Sequence, residues 1–424
     1  MSVPAARDAG AGAPAVPASP ASGIARRTVT TWVTLIATVG CVFAARALIA
    51  RELGPAGIGL YALMLSAAWL GGTVLSLGLP AYNASFAGRQ PAGVLLTNSI
   101  AWNAGALALL SVVCLPALLT PSIPITWKVM ILGVLVSPLT ALLECTRGIF
   151  QGMSAMTPYN WLGLSGGALN LAGVGALAAT SSMTLRSAIA CWIGSTLVAA
   201  AAAVRLGTTH GAPLAPIDRR LLLGSLKFGG QAWLSQLSGI VNFRIALLLT
   251  ETLLGTVAVG LYAIAVTIAE LLFYFPNALA IVSSARYATA TGAEARALLR
   301  RSGIWVLAVS SATAAALALA ARPVIRLAFG PSYDESARLL LIVLPGVVAY
   351  TPIAVVTWYF NAHRQRPIVN FVIASFSAIL NAALTLLWAP VYGLSGVAWA
   401  TTTSYVAASL FSVIVIRRES SRPS

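Results

Sequence analysis

The amino-acid sequence predicts an all-α polytopic membrane protein built from two similar halves. Three observations carry this. Of 424 residues, 58% are hydrophobic and only 8% charged, with a mean hydropathy of +0.88, whereas a soluble domain is about a quarter charged. Twelve apolar runs follow one another, each near the ~20 residues needed to cross a hydrocarbon core. Finally, Leu53-Gly-Pro-Ala-Gly-Ile-Gly-Leu-Tyr-Ala62 returns 201 residues later as Leu254-Gly-Thr-Val-Ala-Val-Gly-Leu-Tyr-Ala263, identical at six of ten positions. Each copy is a short break between long apolar runs, the signature of one helical hairpin drawn twice.

Residues 1–27 come first. This Ala/Pro/Gly/Ser stretch, with Pro4, Pro14, Pro17 and Pro20, lacks the large apolar side chains a fold needs and reads as a disordered cytoplasmic tail. Arg26 and Arg27 then precede an apolar run that ends at Arg46 and Arg51 rather than at a small-residue cleavage site, so it reads as a retained first span. The spans of the first half are 28–50, 56–78, 93–117, 127–147, 158–180 and 185–205. Those of the second are 231–253, 256–280, 302–321, 338–360, 368–389 and 394–416. The polar connector around His210-Gly-Ala-Pro-Leu-Ala-Pro-Ile-Asp-Arg-Arg220 separates the halves. This divides the chain into 28–205, a cytoplasmic linker at 206–227, 228–416, and a short cytoplasmic tail at 417–424. The apolar runs are continuous rather than alternating, which excludes a β-barrel.

Charge tests this topology. With the N-terminus inside, 18 Lys and Arg fall on cytoplasmic segments and 7 on outer ones, with Arg244 left within a span. Such a bias supports twelve spans with both termini in the cytoplasm. The net charge of +16 is spread over the ends of apolar runs rather than gathered on a polar domain, which argues against a nucleic-acid partner. Cys41, Cys114, Cys145 and Cys191 show neither metal-ligand spacing nor an outer-loop pair, and the sequence implies no metal. It implies no cofactor either: there is no phosphate-cradling Gly-Lys-Ser/Thr loop.

The hairpin Arg51-Glu-Leu-Gly-Pro-Ala-Gly-Ile-Gly-Leu-Tyr61 followed by Leu77-Gly-Leu-Pro80 resembles the first hairpin of bacterial polysaccharide flippases. These Wzx-type lipid-linked oligosaccharide transporters belong to the superfamily that also contains multidrug extrusion proteins and lipid II flippases. Phe329-Gly-Pro-Ser-Tyr-Asp-Glu-Ser-Ala337 before Leu344-Pro-Gly346 is similar to the loop entering that family's tenth span. Ala389-Pro-Val-Tyr-Gly-Leu-Ser-Gly-Val-Ala-Trp-Ala-Thr401 is similar to its junction between the last two core spans. The resemblance implies twelve helices in two six-helix lobes around a central cavity. It also implies alternating access in the bacterial cytoplasmic membrane, and a polyprenyl-diphosphate glycan as cargo. Membrane lipid and polysaccharide assembly proteins would be the partners, and the chain would not be an enzyme.

A diphosphate needs fixed positive charge in a polar cavity, and arginine suits it through its planar fork. Arg244, near the middle of the seventh span, is the first candidate, because charge at that depth is costly. Its other reading is a structural partner for Glu270 in the eighth span, at an estimated depth difference of roughly 8 Å. Arg46 is either a cavity residue or one that snorkels to the outer surface. Glu144 and Arg147 share a helix face and either neutralise each other or contact cargo. Arg89 and Arg286 follow the second helix of each hairpin, as topology charges or at the cargo's entrance. Asn242 stands among amides suited to sugar hydroxyls or to interhelical bonds. Glu270 and Glu144 are the acids well inside spans and the candidates for ion coupling. The acid that family members often carry beside the seventh-span arginine is missing from Asn242-Phe-Arg244-Ile-Ala246. Two further readings remain open. A cation-coupled multidrug exporter would share the architecture but favour acidic cavity residues. A membrane glycan polymerase or glycosyltransferase would need a larger outer loop than Ala321 to Ala337.

Overall fold

The computed structural model describes residues 21–420; the expected tail before residue 21 and the last four residues lie outside the described part. Among the described residues, ten helical stretches are long and apolar enough to cross a membrane. The chain is therefore a multi-pass, all-helical membrane protein.

The first helix, α1 (Ala21–Ser76), is two segments joined at Gly54, whose φ of 66° and ψ of −175° are not helical. A straight helix would carry Tyr61 about 45 Å beyond Thr31 at 1.5 Å per residue. Instead both residues contact α5 (Met156–Ala179), where Asn160 donates to Thr31 and Asn170 donates to the Tyr61 hydroxyl. Those two asparagines are only about 15 Å apart along α5, so the chain folds back at Gly54. Helix α13 (Ile368–Ser420) breaks in the same way at Gly393. The Thr401 hydroxyl beyond the break bonds Asn381 before it at 3.4 Å.

Between these lie the short α2 (Leu79–Phe86), α3 (Ala92–Leu119), α4 (Ile125–Gly152) and α6 (Leu185–Thr209). The second half holds α7 (Arg219–Leu254), α8 (Thr256–Ala269), α9 (Tyr274–Thr289), α10 (Gly292–Phe329), α11 (Asp334–Tyr350) and α12 (Ile353–Trp358). Several bounds differ from the sequence reading. Residues 21–27 begin α1 rather than extending the tail, and the helix-free part of the linker shrinks to 210–218. Asp218 caps α7 by accepting a bond from the Leu221 amide, so that helix starts well before its apolar part. Helix α10 likewise starts at a capping box in which Thr291 and Glu294 bond each other reciprocally.

The halves repeat one packing scheme. The first segment of α1 runs beside α5, and α7 runs beside the first segment of α13 through Ser235–Pro367 and Ser238–Ser375 bonds. The second segment of α1 lies on α4, where Gly133 fits against Met64. Correspondingly, α8 lies on α11, where Ser336 donates to the Leu261 carbonyl at 2.8 Å. Small residues at these seams let backbones approach closely, which drives helix association in lipid.

The seam between the halves is held at both ends. At the Gly54 end the two hairpins cross at Gly59 and Gly260. There the Tyr333 hydroxyl donates to the Ala50 carbonyl at 2.9 Å, and Arg51 donates to the carbonyls of Leu327 and Ala328. At the other end Gly78 lies against Gly229, and Trp233 donates to the Thr73 carbonyl at 2.8 Å. The linker is tied to α3 by the Asn98 amide, which accepts from the Asp218 N–H and donates to its carbonyl.

Candidate functional site: an arginine pair at the seam

Helix α8 does not run on into α9. A single 3₁₀ turn, Glu270–Phe273, intervenes. Pro276 explains its place: the ring has no N–H for the carbonyl four residues back and clashes with it, so the distortion falls around Leu272 rather than at the proline. A 3₁₀ turn in mid-helix often marks a hinge, and here it sets the carboxylate of Glu270 at the seam.

Two arginines meet it there. Arg244 on α7 bonds Glu270 at 3.1 Å, with the two side chains 20% and 24% exposed. Arg46, on the first segment of α1, donates to the Thr267 hydroxyl at 2.7 Å, one turn before the carboxylate. Arg46 also interacts electrostatically with Arg244, Glu270 and Tyr274. Two guanidinium groups therefore stand near one carboxylate, with Arg244 alone bonding it, which leaves a net charge of about +1 in a sheltered place. Arg46 and Arg244 come from the opening helices of the two halves. Adding the 201-residue offset to position 46 gives 247, less than one turn from Arg244.

Behind Glu270 the second half encloses a small chamber whose largely apolar walls also carry Asn242, Tyr262, Glu270, Asn381 and Thr401. Asn242 donates to the Tyr350 hydroxyl at 3.2 Å, while its carbonyl oxygen is buried without a partner. Asn381 accepts from Thr385 and Thr401, while its amide nitrogen is buried without a partner. A buried orphan acceptor and a buried orphan donor thus line one chamber, against the usual satisfaction of such groups. Phe243, Phe273, Tyr350 and Tyr405 pack around it, mostly edge-on, with ring centroids between 4.6 and 6.3 Å apart.

The remaining candidates sit elsewhere. Arg147 bonds Glu144 at 2.8 Å and lies over the Tyr159 ring at 4.5 Å, a self-contained cluster on α4 and α5. Arg89 is exposed in the turn after α2, and Arg286 is exposed on α9. So Arg46, Arg244 and Glu270 converge, Asn242 faces the chamber beside them, and Arg147, Glu144, Arg89 and Arg286 do not join. Tyr262 stands in the sequence reading only as part of the repeated motif, and Thr267, Tyr350 and Tyr405 escape it. Lone hydroxyl and aromatic residues in apolar runs carry no spacing signal that marks them.

Residues 26–287 match the family model described as polysaccharide biosynthesis protein. No curated protein matches the chain in sequence. Among solved structures, an inward-facing multidrug resistance transporter of the MATE family and MOP superfamily aligns with a TM-score of 0.73 at 15% identity, over 92% of this chain and 98% of that one. The lipid II flippase MurJ in an inward closed conformation aligns at 0.68 and 12% identity, over 92% and 87%. A point mutant of the Vibrio cholerae MATE transporter VcmN aligns at 0.67 and 16% identity, over 94% and 97%. At such identities the likeness establishes the fold.

Proposed function

This chain belongs to the polysaccharide biosynthesis protein family, and from that premise we propose that it flips a polyprenyl-diphosphate-linked oligosaccharide from the cytoplasmic to the outer leaflet by alternating access. The observation that carries the reading is the meeting of Arg46 and Arg244, from equivalent helices of the two halves, around residues 267–270: Arg244 bonds the Glu270 carboxylate, and Arg46 bonds the Thr267 hydroxyl one turn before it.

The chemistry follows from charge. A hydrated glycan with a diphosphate cannot cross hydrocarbon unless protein groups replace its water. A diphosphate brings more negative charge than Glu270 and offers oxygens in the geometry a guanidinium fork accepts. On arrival it takes Arg244 from Glu270 and is shared with Arg46, one arginine from each half. Glu270, released, is the group free to take up a proton or cation and so couple the cycle; Glu144 is the second candidate for that role. Arg147 and Asn242 would contact the glycan, with Arg89 and Arg286 meeting the headgroup at the cytoplasmic surface.

In this reading the helices broken at Gly54 and Gly393 each cross twice, giving twelve crossings in two lobes, 28–205 and 228–416, around a central cavity. Both termini are cytoplasmic and the membrane is the bacterial inner membrane. Polysaccharide assembly proteins supply and receive the cargo. The cation-coupled exporter has one observation in its favour, the aromatic walls beside Glu270. The arginine already bound to that carboxylate opposes it.

Binding tests the reading. Purified protein should bind a fluorescent polyprenyl-diphosphate oligosaccharide more tightly than the monophosphate counterpart. Arg244→Gln should erase that preference. Equal affinity for the two lipids in the wild type contradicts the proposal.

A further inference from the structure

Helix α10 is 38 residues long, about 57 Å, far more than a hydrocarbon core requires. Its charges fix where it sits. No charged residue falls between Arg301 and Arg322, a rise of about 32 Å that matches a bilayer core. Arg301 therefore lies at one membrane surface, and the turns before it project into the headgroup layer.

On those turns Arg296, Arg300 and Arg301 line one shallow groove together with Ile304 and Trp305. All three arginines are exposed, and Ile304 and Trp305 are 60% and 58% exposed. Among the described residues, Arg147, Arg244, Arg326, Arg364 and Arg366 each have a carboxylate partner, and these three have none. The acid closest in sequence, Glu294, is occupied by the helix cap, where it accepts from the Thr291 N–H at 2.8 Å and hydroxyl at 2.9 Å. Three uncompensated guanidinium groups thus sit at headgroup depth, directly before an exposed apolar and aromatic surface at acyl-chain depth.

We propose that this face of α10 is a binding site for an anionic phospholipid, with the phosphate held by Arg296, Arg300 and Arg301 and an acyl chain lying along Ile304 and Trp305. Charge complementarity selects the occupant, since each basic side chain at a membrane surface attracts anionic lipid, and tryptophan anchors at the interface. The site is separate from the arginine pair at the seam and holds whatever the cargo.

Native mass spectrometry of the purified full chain tests it, with phosphatidylglycerol and phosphatidylcholine offered in equal amounts. The wild type should retain phosphatidylglycerol preferentially. The triple variant Arg296→Gln/Arg300→Gln/Arg301→Gln should bind it on the order of a hundredfold more weakly. Arg417→Gln/Arg418→Gln, another basic pair at a helix end, should keep it. Undiminished retention by the triple variant overturns the proposal, as does displacement of the phospholipid by equimolar polyprenyl diphosphate. A second readout needs no charge removed. Brominated phosphatidylglycerol should quench wild-type tryptophan fluorescence measurably more than that of Trp305→Phe, and equal quenching also overturns the site.

Discussion

Gly59 and Gly260 face each other where the two hairpins cross, and the contact is reciprocal. A Cβ on Gly59 would strike the carbonyl of Thr256, and a Cβ on Gly260 would strike the carbonyl of Pro55. The offset of 201 carries Gly59 onto Gly260 and Pro55 onto Thr256. The repeat is thus an internal pseudo-twofold contact, in which each hairpin places its glycine against the other's first turn. Gly59→Val or Gly260→Val should lower thermal stability by about 1–3 kcal/mol through overpacking. Gly105→Ala, at a site with nothing within 4 Å of an added Cβ, should change it little. A melting curve in detergent, read by fluorescence, separates these outcomes.

The same offset relates two strained turns. Gly54 has φ 66° and ψ −175°, and Gly255 has φ 82° and ψ 175°, a region essentially reserved for glycine. Gly54→Ala and Gly255→Ala should each cost about 1–3 kcal/mol. Gly224→Ala, on a helix with open space around it, should be neutral or slightly stabilising. The melting temperatures of the three variants decide this.

Arg244 and Glu270 should be coupled. Arg244→Ala alone leaves a sheltered carboxylate without its bond, and Glu270→Ala leaves the Arg244 guanidinium without its own, near the second positive charge of Arg46. Both side chains keep partial access to solvent, so each single loss should cost about 1–3 kcal/mol rather than the full penalty of a buried charge. The double variant should be less destabilised than the sum by about 1 kcal/mol. Additivity within error would show that the pair is energetically idle.

The fold-backs at Gly54 and Gly393 make a topological prediction. With a membrane-impermeant thiol reagent applied to intact cells, Glu52→Cys should be labelled and Arg89→Cys should be labelled only after lysis. Both positions are exposed in the structure. Labelling of both from the same side contradicts the proposed orientation.

Much of this was legible in the sequence. Continuous apolar runs marked the helices because lipid forces every backbone group to be satisfied within its own segment. The meeting of Arg244 with Glu270 followed from depth along two neighbouring spans. Arg46 was harder: its contact with Thr267 depends on how the two halves cross, which no local spacing encodes. The break at Glu270–Phe273 is signalled in the sequence by Pro276, because a proline disturbs the turn before it. Short α2 was missed because Gly78-Leu-Pro80 also reads as the end of a helix. The early start of α10 was signalled by Thr291-Gly-Ala-Glu294, a capping box that hydropathy alone passes over. The chamber lined by Asn242, Asn381, Thr401 and Tyr405 gathers single residues from distant spans, and only tertiary packing unites them.

Transbilayer movement tests the central claim most directly. Proteoliposomes holding a fluorescent polyprenyl-diphosphate oligosaccharide, with a reagent that quenches only the outer leaflet, report flipping as loss of protected signal. The wild type should accelerate flipping well above protein-free vesicles. Arg46→Gln and Arg244→Gln should each slow it at least tenfold, about 1.4 kcal/mol of lost binding to the diphosphate. Arg89→Gln should slow it less. Wild-type rates in both seam variants, or no flipping with wild-type protein, would contradict the account.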